Sequence, residues 1–200
     1  SEDKSKQSSD ETNWTEFDTK IYKNFKAALE ASRIPVRDIY YRPREDEHGK
    51  PYFEVPYLAL ETFAAELKGQ DGRIIVFLGN PNNPDGTLLD KNHIRTIASM
   101  LKDANSLLVI DESFIDFVGN DTLQDNEYSM RSLVNEFDNI IVVHSFTKFY
   151  AVPGLRIGAA FSNPLIIEQL NSFIPTWSVN TLAQSYTEAA LNDVEYVKRT

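Results

Sequence analysis

Continuous apolar runs of strand length recur along the chain, separated by segments with the apolar spacing of helices. Three of these runs are RIIVFLG at 73–79, LLVI at 107–110 and NIIVVH at 139–144. A strand that faces solvent on one side alternates apolar and polar residues, whereas a strand buried on both faces is apolar nearly throughout. The runs therefore predict a mostly parallel sheet with helices on both faces, which is an α/β three-layer sandwich.

The helical period is clearest between the first two runs. DKNHIRTIASMLKDA (90–104) places Ile94, Ile97 and Leu101 on one face, and Asp90 is its predicted N-cap. Further helices are predicted at 19–32, 56–70, 128–137, 163–173 and 180–191, with a short strand at 36–41 and a turn-rich loop at 44–53. Right-handed crossovers between parallel strands collect ligand-binding groups at the carboxyl ends of the strands.

Composition narrows the class of protein. The chain has 200 residues, a formal net charge of −10 and no cysteine. The acidic balance argues against a nucleic-acid partner, because phosphate binding needs a basic face. No apolar run approaches the roughly 20 residues of a membrane span, so no membrane association is expected. With no cysteine and three scattered histidines, we expect no disulfide framework, no metal site and a cytoplasmic protein.

The chain divides into two unequal parts. Residues 1–13 are acidic and rich in serine, and we interpret them as a disordered lead-in. Residues 14–200 show no internal repeat and no second class of composition, so we predict one large domain there.

Polar residues follow each of the three apolar runs. NPNNPDGT (80–87) comes after the first, Asp111 ends the second, and SFTK (145–148) follows the third, with Arg156 eight residues after Lys148. Taken singly, these features are explained by a strand-to-helix turn, a helix cap and surface cations. The phosphate-binding motifs GxGxxG and GxxxxGKS/T and the nucleophile motif GxSxG are missing. Dinucleotide, P-loop and serine-hydrolase functions therefore have no support.

In combination, this order of motifs resembles the large domain of the fold-type I pyridoxal-phosphate enzymes, the aspartate aminotransferase superfamily of class I/II. The resemblance covers roughly residues 20–197 and is strongest from Gly79 to Leu191. It implies pyridoxal 5'-phosphate (PLP) as the cofactor, and Lys148 as the residue that forms a Schiff base with the cofactor aldehyde. We expect Lys148 to lie in a dry pocket, which favours the neutral, nucleophilic amine.

Other positions match cofactor-binding residues of that superfamily. Asp111 corresponds to the buried carboxylate that keeps the pyridine nitrogen protonated, which makes the ring an electron sink. Asn83 corresponds to the donor to the ring hydroxyl oxygen. Ser145 and Arg156 correspond to the phosphate anchors, since a planar guanidinium binds phosphate in a bidentate manner, and Thr147 is a further predicted phosphate contact.

Phe114 departs from the pattern of the superfamily. Many members carry a tyrosine three residues after the aspartate, and its hydroxyl hydrogen-bonds the ring oxygen. Phenylalanine at this position removes that donor. We therefore expect the imine between Lys148 and the cofactor to hold its proton to higher pH than in a tyrosine-containing relative.

Some residues near these motifs are given supporting roles. We interpret Glu112 as a supporting or surface carboxylate, His144 as a packed or capped imidazole, and Trp177 as a packed side chain at a helix entry. The aromatic residue that stacks on the cofactor ring would fall near Phe17 or Tyr22, and the sequence does not choose between them.

Three segments resemble one branch of the superfamily, L-threonine-O-3-phosphate decarboxylase, which supplies an aminopropanol phosphate for the cobalamin nucleotide loop. They are DESFIDF (111–117), FTKFYAVPGLRIG (146–158) and PTWSVNTLAQ (175–184). The resemblance implies a phosphorylated amino acid as the small-molecule substrate. Histidinol-phosphate aminotransferase shares the scaffold but typically has the tyrosine, and it is the alternative. A non-catalytic ligand sensor built on the same fold is a remote third hypothesis.

Complete members of the superfamily are about twice this length. The small C-terminal domain and its carboxylate-binding arginine have no counterpart in the sequence, so we expect an incomplete large domain. Members are usually homodimers, and we expect the same of the full-length protein. The isolated piece is expected to be a poor catalyst.

Overall fold

The computed structural model describes residues 29, 31, 33, 35–69, 73–119 and 126–200. The predicted lead-in at 1–13, Phe17, Tyr22 and most of the predicted helix at 19–32 lie outside the described residues. In the described part, strands and helices alternate along the main sheet as the apolar pattern predicts.

An antiparallel hairpin of two exposed strands comes first in the described chain. β1 (Arg42–Glu45) pairs with β2 (Pro51–Glu54). The turn between them closes because Asp46 Oδ1 accepts hydrogen bonds from the backbone N–H groups of His48 and Lys50, each at 2.9 Å. A short carboxylate that bonds nearby backbone amides in this way organises a tight turn.

Two predictions for this region were wrong. The segment 36–41 forms no strand, and 44–53, predicted to be a loop, contains part of both hairpin strands. Both strands are exposed, so they carry no apolar pattern that would reveal them. The turn between them is closed by the side-chain bonds of Asp46 and by backbone hydrogen bonds among Asp46, Gly49 and Lys50.

The main sheet contains four strands. In spatial order they are β3 (Ile75–Gly79), β4 (Leu107–Asp111), β5 (Ile140–Ser145) and β6 (Gly158–Ser162). β3, β4 and β5 are parallel, and β6 runs antiparallel to β5. The predicted mostly parallel sheet is confirmed. β4 and β5 are buried over most of their length, which is why their sequences do not alternate.

The helices cover and connect these strands. They are α1 (Tyr57–Glu66), α2 (Lys91–Asp103), α3 (Phe146–Phe149), α4 (Pro164–Phe173), α5 (Thr181–Leu191) and α6 (Val194–Arg199). Short 3₁₀ helices span Ile115–Phe117, Met130–Asn135 and Pro153–Leu155. The helix predicted at 128–137 is a 3₁₀ helix and covers Met130–Asn135. Asp90 caps α2 as predicted, since its Oδ1 accepts from the N–H groups of Asn92 and His93 at 2.9 and 3.0 Å.

The main apolar core lies between the sheet and the helices α1 and α2. Ile94, Ile97 and Leu101 of α2 are buried there, as the helical spacing predicts. Leu108 and Ile110 of β4 belong to the same cluster. Burying one such side chain contributes about 1.5–3 kcal/mol. This core holds the parallel strands whose carboxyl ends carry the polar clusters.

Two classes of feature are absent from the part of the chain that the structure describes. None of its helices has the length and apolar character required to cross a membrane. Its His, Asp and Glu side chains form no group of three or more that could hold a metal ion. The whole sequence lacks cysteine, so thiolate ligands are excluded as well.

Candidate functional site

A cleft opens at the carboxyl edge of the parallel strands, where β3 and β4 end beside one another and α3 begins after β5. Its cavity volume is about 130 Å³. Its walls are formed by Gly79, Pro81, Asn83, Asp111, Ser113, Phe114 and Lys148. Gly79 and Asp111 are partners in the register of β3 and β4, so the turn after β3 lies alongside the end of β4. Four predicted site residues from three separate segments thus line one cleft: Asn83, Asp111, Phe114 and Lys148.

The turn that carries Asn83 is closed by its own hydrogen bonds. The Asn82 N–H donates to the Thr87 carbonyl, and the Gly86 N–H donates to the Asn82 carbonyl, both at 2.8 Å. The Asp85 carboxylate accepts from Asn82 Nδ2 at 2.8 Å and from Thr87 Oγ1 at 3.0 Å. Gly86 has a φ of 75°, a conformation that favours glycine. These contacts keep Asn83 at the wall of the cleft.

Asp111 is half-buried at the end of β4. Its Oδ1 accepts from the Ser113 N–H at 2.9 Å and from Ser113 Oγ at 2.6 Å, so the carboxylate also caps the turn after the strand. Within the described residues, no lysine or arginine forms a salt bridge with Asp111. The local chain therefore occupies one carboxylate oxygen, and Oδ2 is left for a donor in the cleft.

Lys148 lies in α3, directly after β5, and its side chain is exposed at the rim of the cleft. The expectation of a lysine in a dry pocket was therefore wrong, because the described elements around this end of the sheet leave the side chain open to solvent, although its neighbours Thr147 and Phe149 are buried. In the described part of the chain, Lys148 Nζ forms no salt bridge. It lies 5.8 Å from the centroid of the Phe114 ring, within cation–π range. An amine without a carboxylate partner remains available for covalent chemistry.

The three predicted phosphate contacts are close to Lys148 in sequence but do not line the cleft. Ser145 Oγ and Thr147 Oγ1 lie 2.8 Å apart and form a pair of hydroxyls at the start of α3. Arg156 is exposed, and its Nη1 donates to the Pro153 carbonyl at 3.0 Å. The Arg156 backbone is left-handed, with a φ of 53°, which is uncommon for a residue with a side chain. Phosphate binding by these residues stays a prediction.

A buried polar network lies next to the cleft, and the sequence analysis anticipated one part of it, since a supporting carboxylate was one of the two interpretations of Glu112. Glu112 is fully buried rather than at the surface, and its carboxylate accepts from Asn80 Nδ2 at 3.1 Å and from Ser129 Oγ and the Met130 N–H at 2.6 Å each. Burial raises the pKa of Glu112, and the three donors act in the opposite direction. Asn80 and Glu112 each follow a cleft residue directly. This position is a sequence signal for a buried polar residue behind the cleft, because neighbouring side chains along a strand point to opposite faces.

Two other interpretations had opposite outcomes. His144 is buried, as a packed imidazole would be, and its Nε2 lies 2.9 Å from Asp116 Oδ2 without the alignment of a hydrogen bond. Burial and the Asp116 carboxylate together raise the pKa of Tyr150 to about 12.

Trp177 is 92% exposed, so the prediction of a packed tryptophan was wrong. It lies in the exposed run 171–178, where the described neighbours offer no core to pack against.

The cleft residues converge as the aminotransferase-like motifs require, and the match to a family model agrees. Residues 17–200 match the model for aminotransferase class I and II. The chain belongs to this family. It is 34% identical over 178 residues to the adenosylcobalamin biosynthesis bifunctional protein CobDQ of Leptospira interrogans, which covers 88% of this chain and 18% of that protein. It is 31% identical over 141 residues to histidinol-phosphate aminotransferase 1 of Psychrobacter arcticus, which covers 70% of this chain and 35% of that protein.

Solved structures support the same fold. The chain superposes on the histidinol-phosphate aminotransferase from Clostridium acetobutylicum with a TM-score of 0.71 and 23% identity, over 89% of this chain and 48% of that one. It thus spans less than half the length of each of these three proteins. Other similar structures contain PLP, which is the cofactor of this family of enzymes. The cleft fits PLP, because it combines an amine, a carboxylate and an amide at neighbouring strand ends.

Proposed function

We propose that residues 14–200 form part of the PLP-binding large domain of an enzyme that acts on a phosphorylated amino acid. The observation that carries this proposal is the convergence of Lys148, Asp111 and Asn83 on one cleft at the carboxyl ends of parallel strands. Open α/β sheets bind their ligands at this edge. When bound, PLP supplies an electron sink for negative charge at the substrate Cα.

The three polar side chains of the cleft take different parts in the proposed site. Lys148 would bind the cofactor aldehyde through its Nζ and would later move a proton at the substrate Cα; it lines the cleft and forms no salt bridge in the described part of the chain, so no carboxylate competes for the amine. Asp111 Oδ2, the oxygen that Ser113 does not occupy, would accept a hydrogen bond from the protonated ring nitrogen. Asn83 donates its side-chain amide to the ring oxygen from a turn with a fixed backbone.

The phosphate group is proposed to bind beyond the cleft walls, around the start of α3. Ser145 and Thr147 offer two hydroxyls 2.8 Å apart, which suits an anion with several acceptor oxygens. Arg156 adds a guanidinium that is exposed and bonded only to a backbone carbonyl among the described residues. Exchanging that carbonyl for a phosphate would replace a neutral acceptor by a charged one, which is the stronger hydrogen bond.

Decarboxylation of O-phospho-L-threonine is the reaction we favour. The Leptospira relative acts, by its name, in adenosylcobalamin biosynthesis, the process to which the decarboxylase branch contributes its product. Phe114 supports the same branch, since the aminotransferase branch typically has tyrosine at this position. The proposal includes a cytoplasmic location and a homodimer for the full-length protein, in keeping with the family.

Transamination of histidinol phosphate is the second candidate, favoured by the similarity to the Psychrobacter enzyme. The two reactions differ in which bond of the substrate Cα is held perpendicular to the cofactor ring. Groups that clamp the substrate carboxylate set that orientation. No arginine lines the cleft in the described part of the chain, so these residues do not favour one orientation over the other.

The test uses the full-length protein loaded with PLP and supplied with O-phospho-L-threonine, without a keto-acid acceptor. We expect sustained release of CO₂. Conversion of the cofactor to its amine form without CO₂ would show an aminotransferase, and histidinol phosphate is then the next substrate. Tight cofactor binding with neither signal would contradict both reactions on O-phospho-L-threonine, and transamination of histidinol phosphate and ligand sensing would be tested next.

Two lysine variants control this assay. Lys148→Ala should abolish CO₂ release, because no other amine lines the cleft in the described residues. Lys102→Ala removes a surface lysine that pairs with Asp138 at 2.8 Å, and it should keep the wild-type rate. Turnover by Lys148→Ala at the wild-type rate would refute the proposed mechanism.

A further inference from the structure

Two buried side chains, Asn80 and Glu112, join the strand ends that carry the cleft. Asn80 is the first residue after β3 and Glu112 is the first after β4. Both are 0% exposed, and Asn80 Nδ2 donates to Glu112 Oε1 at 3.1 Å. The backbone adds a parallel contact, because the Asn80 N–H donates to the Asp111 carbonyl at 2.8 Å. The two strand ends are therefore linked through both main chain and side chain.

The Asn80 amide also anchors the turn that carries Asn83. Its Oδ1 accepts from the Leu89 N–H at 3.1 Å, and its Nδ2 donates a second hydrogen bond to the Tyr128 carbonyl at 2.9 Å. Residues 80–87 form the turn, so a single side chain connects its first residue to the segment just beyond its end. Both donors of the amide and its acceptor are used. Loss of this amide would remove the side-chain hydrogen bonds at both ends of the turn, and the backbone bond from Asn80 to Asp111 would remain.

Glu112 connects the same strand end to the 3₁₀ helix Met130–Asn135. Its carboxylate accepts from the Met130 N–H and from Ser129 Oγ, the N-cap of that helix. Arg131 Nε in turn donates a hydrogen bond to Ser129 Oγ at 3.0 Å. The Ser129 hydroxyl therefore accepts from Arg131 and donates to Glu112. A buried acidic side chain is tolerated only when donors of this kind surround it.

We propose that Asn80 and Glu112 are positioning residues that set the separation of Asn83 and Asp111 in the cofactor cleft. The inference rests on the proposed function, because it assigns these two residues a purpose in binding PLP. Neither residue lines the cleft, so neither contacts the cofactor directly. Binding groups must be held within about 0.5 Å of their working geometry, and buried hydrogen bonds behind them supply that precision.

The test measures the dissociation constant of PLP for the full-length protein and its Asn80→Ala and Glu112→Ala variants. We expect each variant to bind PLP at least about tenfold more weakly. A tenfold rise in the dissociation constant corresponds to the net free energy of about one hydrogen bond. The affinity for pyridoxal, which lacks the phosphate, should fall by the same factor. Asn83 and Asp111 are proposed to contact the ring, which is common to both compounds.

Asn139→Ala is the matched control. Asn139 is buried like Asn80, and its Nδ2 also donates to two backbone carbonyls, those of Ala98 at 2.9 Å and Ser106 at 3.2 Å. It directly precedes β5 and therefore lies at the amino edge of the sheet, away from the cleft. Its loss should lower the melting temperature as Asn80→Ala does but leave the PLP affinity unchanged.

The Glu112→Gln variant tests whether Glu112 acts through its hydrogen bonds or through its charge. The glutamine oxygen can still accept from Asn80 and Met130, so PLP affinity should return to within about threefold of wild type. Affinities of Asn80→Ala and Glu112→Ala equal to wild type, or an equal loss in Asn139→Ala, would overturn the inference.

Measuring PLP affinity also distinguishes a failure of this inference from a failure of the proposed reaction. A wild-type protein that binds no PLP would overturn both, because there would be no cofactor cleft to position. A failure of the proposed reaction alone would appear as absent CO₂ release with PLP still bound. The affinities of the variants are measured without turnover.

Discussion

Lys148 and Phe114 line the same cleft, and the Lys148 Nζ lies 5.8 Å from the centroid of the Phe114 ring. A phenyl ring attracts a cation through its π face but has no hydroxyl to donate to a ring oxygen of the cofactor. Without that donor, the ring oxygen of a bound cofactor would keep more negative charge. The nitrogen contributed by Lys148 should then hold its proton more strongly.

Phe114→Tyr should therefore lower the pH at which the visible absorbance of the PLP-loaded protein titrates. A hydrogen bond to a charged oxygen is worth about 1.5–3 kcal/mol, which corresponds to about one to two pH units. The control is Phe117→Tyr, because the Phe117 ring lies 6.3 Å from Phe114 but is not part of the cleft wall. Identical titrations for Phe114→Tyr and wild type would contradict this explanation.

Arg156→Ala should weaken the binding of PLP but not that of pyridoxal. Loss of a charged hydrogen bond to phosphate is worth about 1.5–3 kcal/mol, so the dissociation constant of PLP should rise by about 10- to 100-fold. Arg44→Ala is the control, because Arg44 is an exposed arginine of the hairpin that pairs with Glu54 at 2.8 Å. Equal losses of affinity for both compounds would mean that Arg156 acts on the fold and not on the phosphate.

The stability of the protein should depend on pH through Glu112. Burial raises the pKa of Glu112, so the folded protein binds this proton more tightly than the unfolded chain does. The resulting stabilisation is fully present below the unfolded pKa, about 4.3, and is lost as the pH rises through the folded value. The melting temperature of wild type should therefore fall relative to Glu112→Gln across this interval.

Glu136→Gln gives the opposite sign and serves as the control for this measurement. A hydrogen bond from Arg95 lowers the pKa of Glu136, and this exposed carboxylate contributes stability only above its unfolded pKa. Wild type should therefore lose stability relative to Glu136→Gln as the pH falls. Parallel melting curves for wild type and Glu112→Gln over the whole range would show that Glu112 does not titrate with folding.

Gly158→Ala should destabilise the fold at the edge of the main sheet. A Cβ at Gly158 would lie 2.5 Å from the carbonyl oxygen of His144, a backbone atom in the neighbouring strand β5. The two strands must separate to admit it, and such overpacking costs about 1–3 kcal/mol in the free energy of unfolding. Gly154→Ala is the matched control, since a Cβ there meets nothing within 4 Å. Equal unfolding free energies in denaturant for the two variants would contradict the close approach.

Much of the scaffold could be predicted because buried strands and helices have characteristic patterns of apolar residues in the sequence. The apolar runs predicted β3, β4 and β5, and the spacing of Ile94, Ile97 and Leu101 predicted the buried face of α2. The motif order placed Asn83, Asp111 and Lys148 at successive strand ends, and parallel pairing brought them to one cleft. Each of these predictions depends on local pattern or on a general rule of parallel sheets.

Exposed strands and exposed side chains have no such apolar pattern, and the sequence alone predicted them wrongly or not at all. The hairpin β1–β2 depends on the Asp46 side chain, and its exposed strands have no apolar pattern. Trp177 and Lys148 are exposed because of what lies around them in space, not because of their neighbours in sequence. Side-chain burial at such positions is decided by the packing of distant elements.

The sequence by itself determined the α/β class, the parallel strands and the identity of the groups at their carboxyl ends, because apolar period and motif order are local properties of the chain. Only the tertiary structure decided that Asn80 and Glu112 are buried and bonded to each other across 32 positions. That bond exists because β3 and β4 pair in parallel and bring the residues after them side by side. Hydrogen-bond partners so distant in sequence are chosen by the packing of strands, which no local pattern encodes.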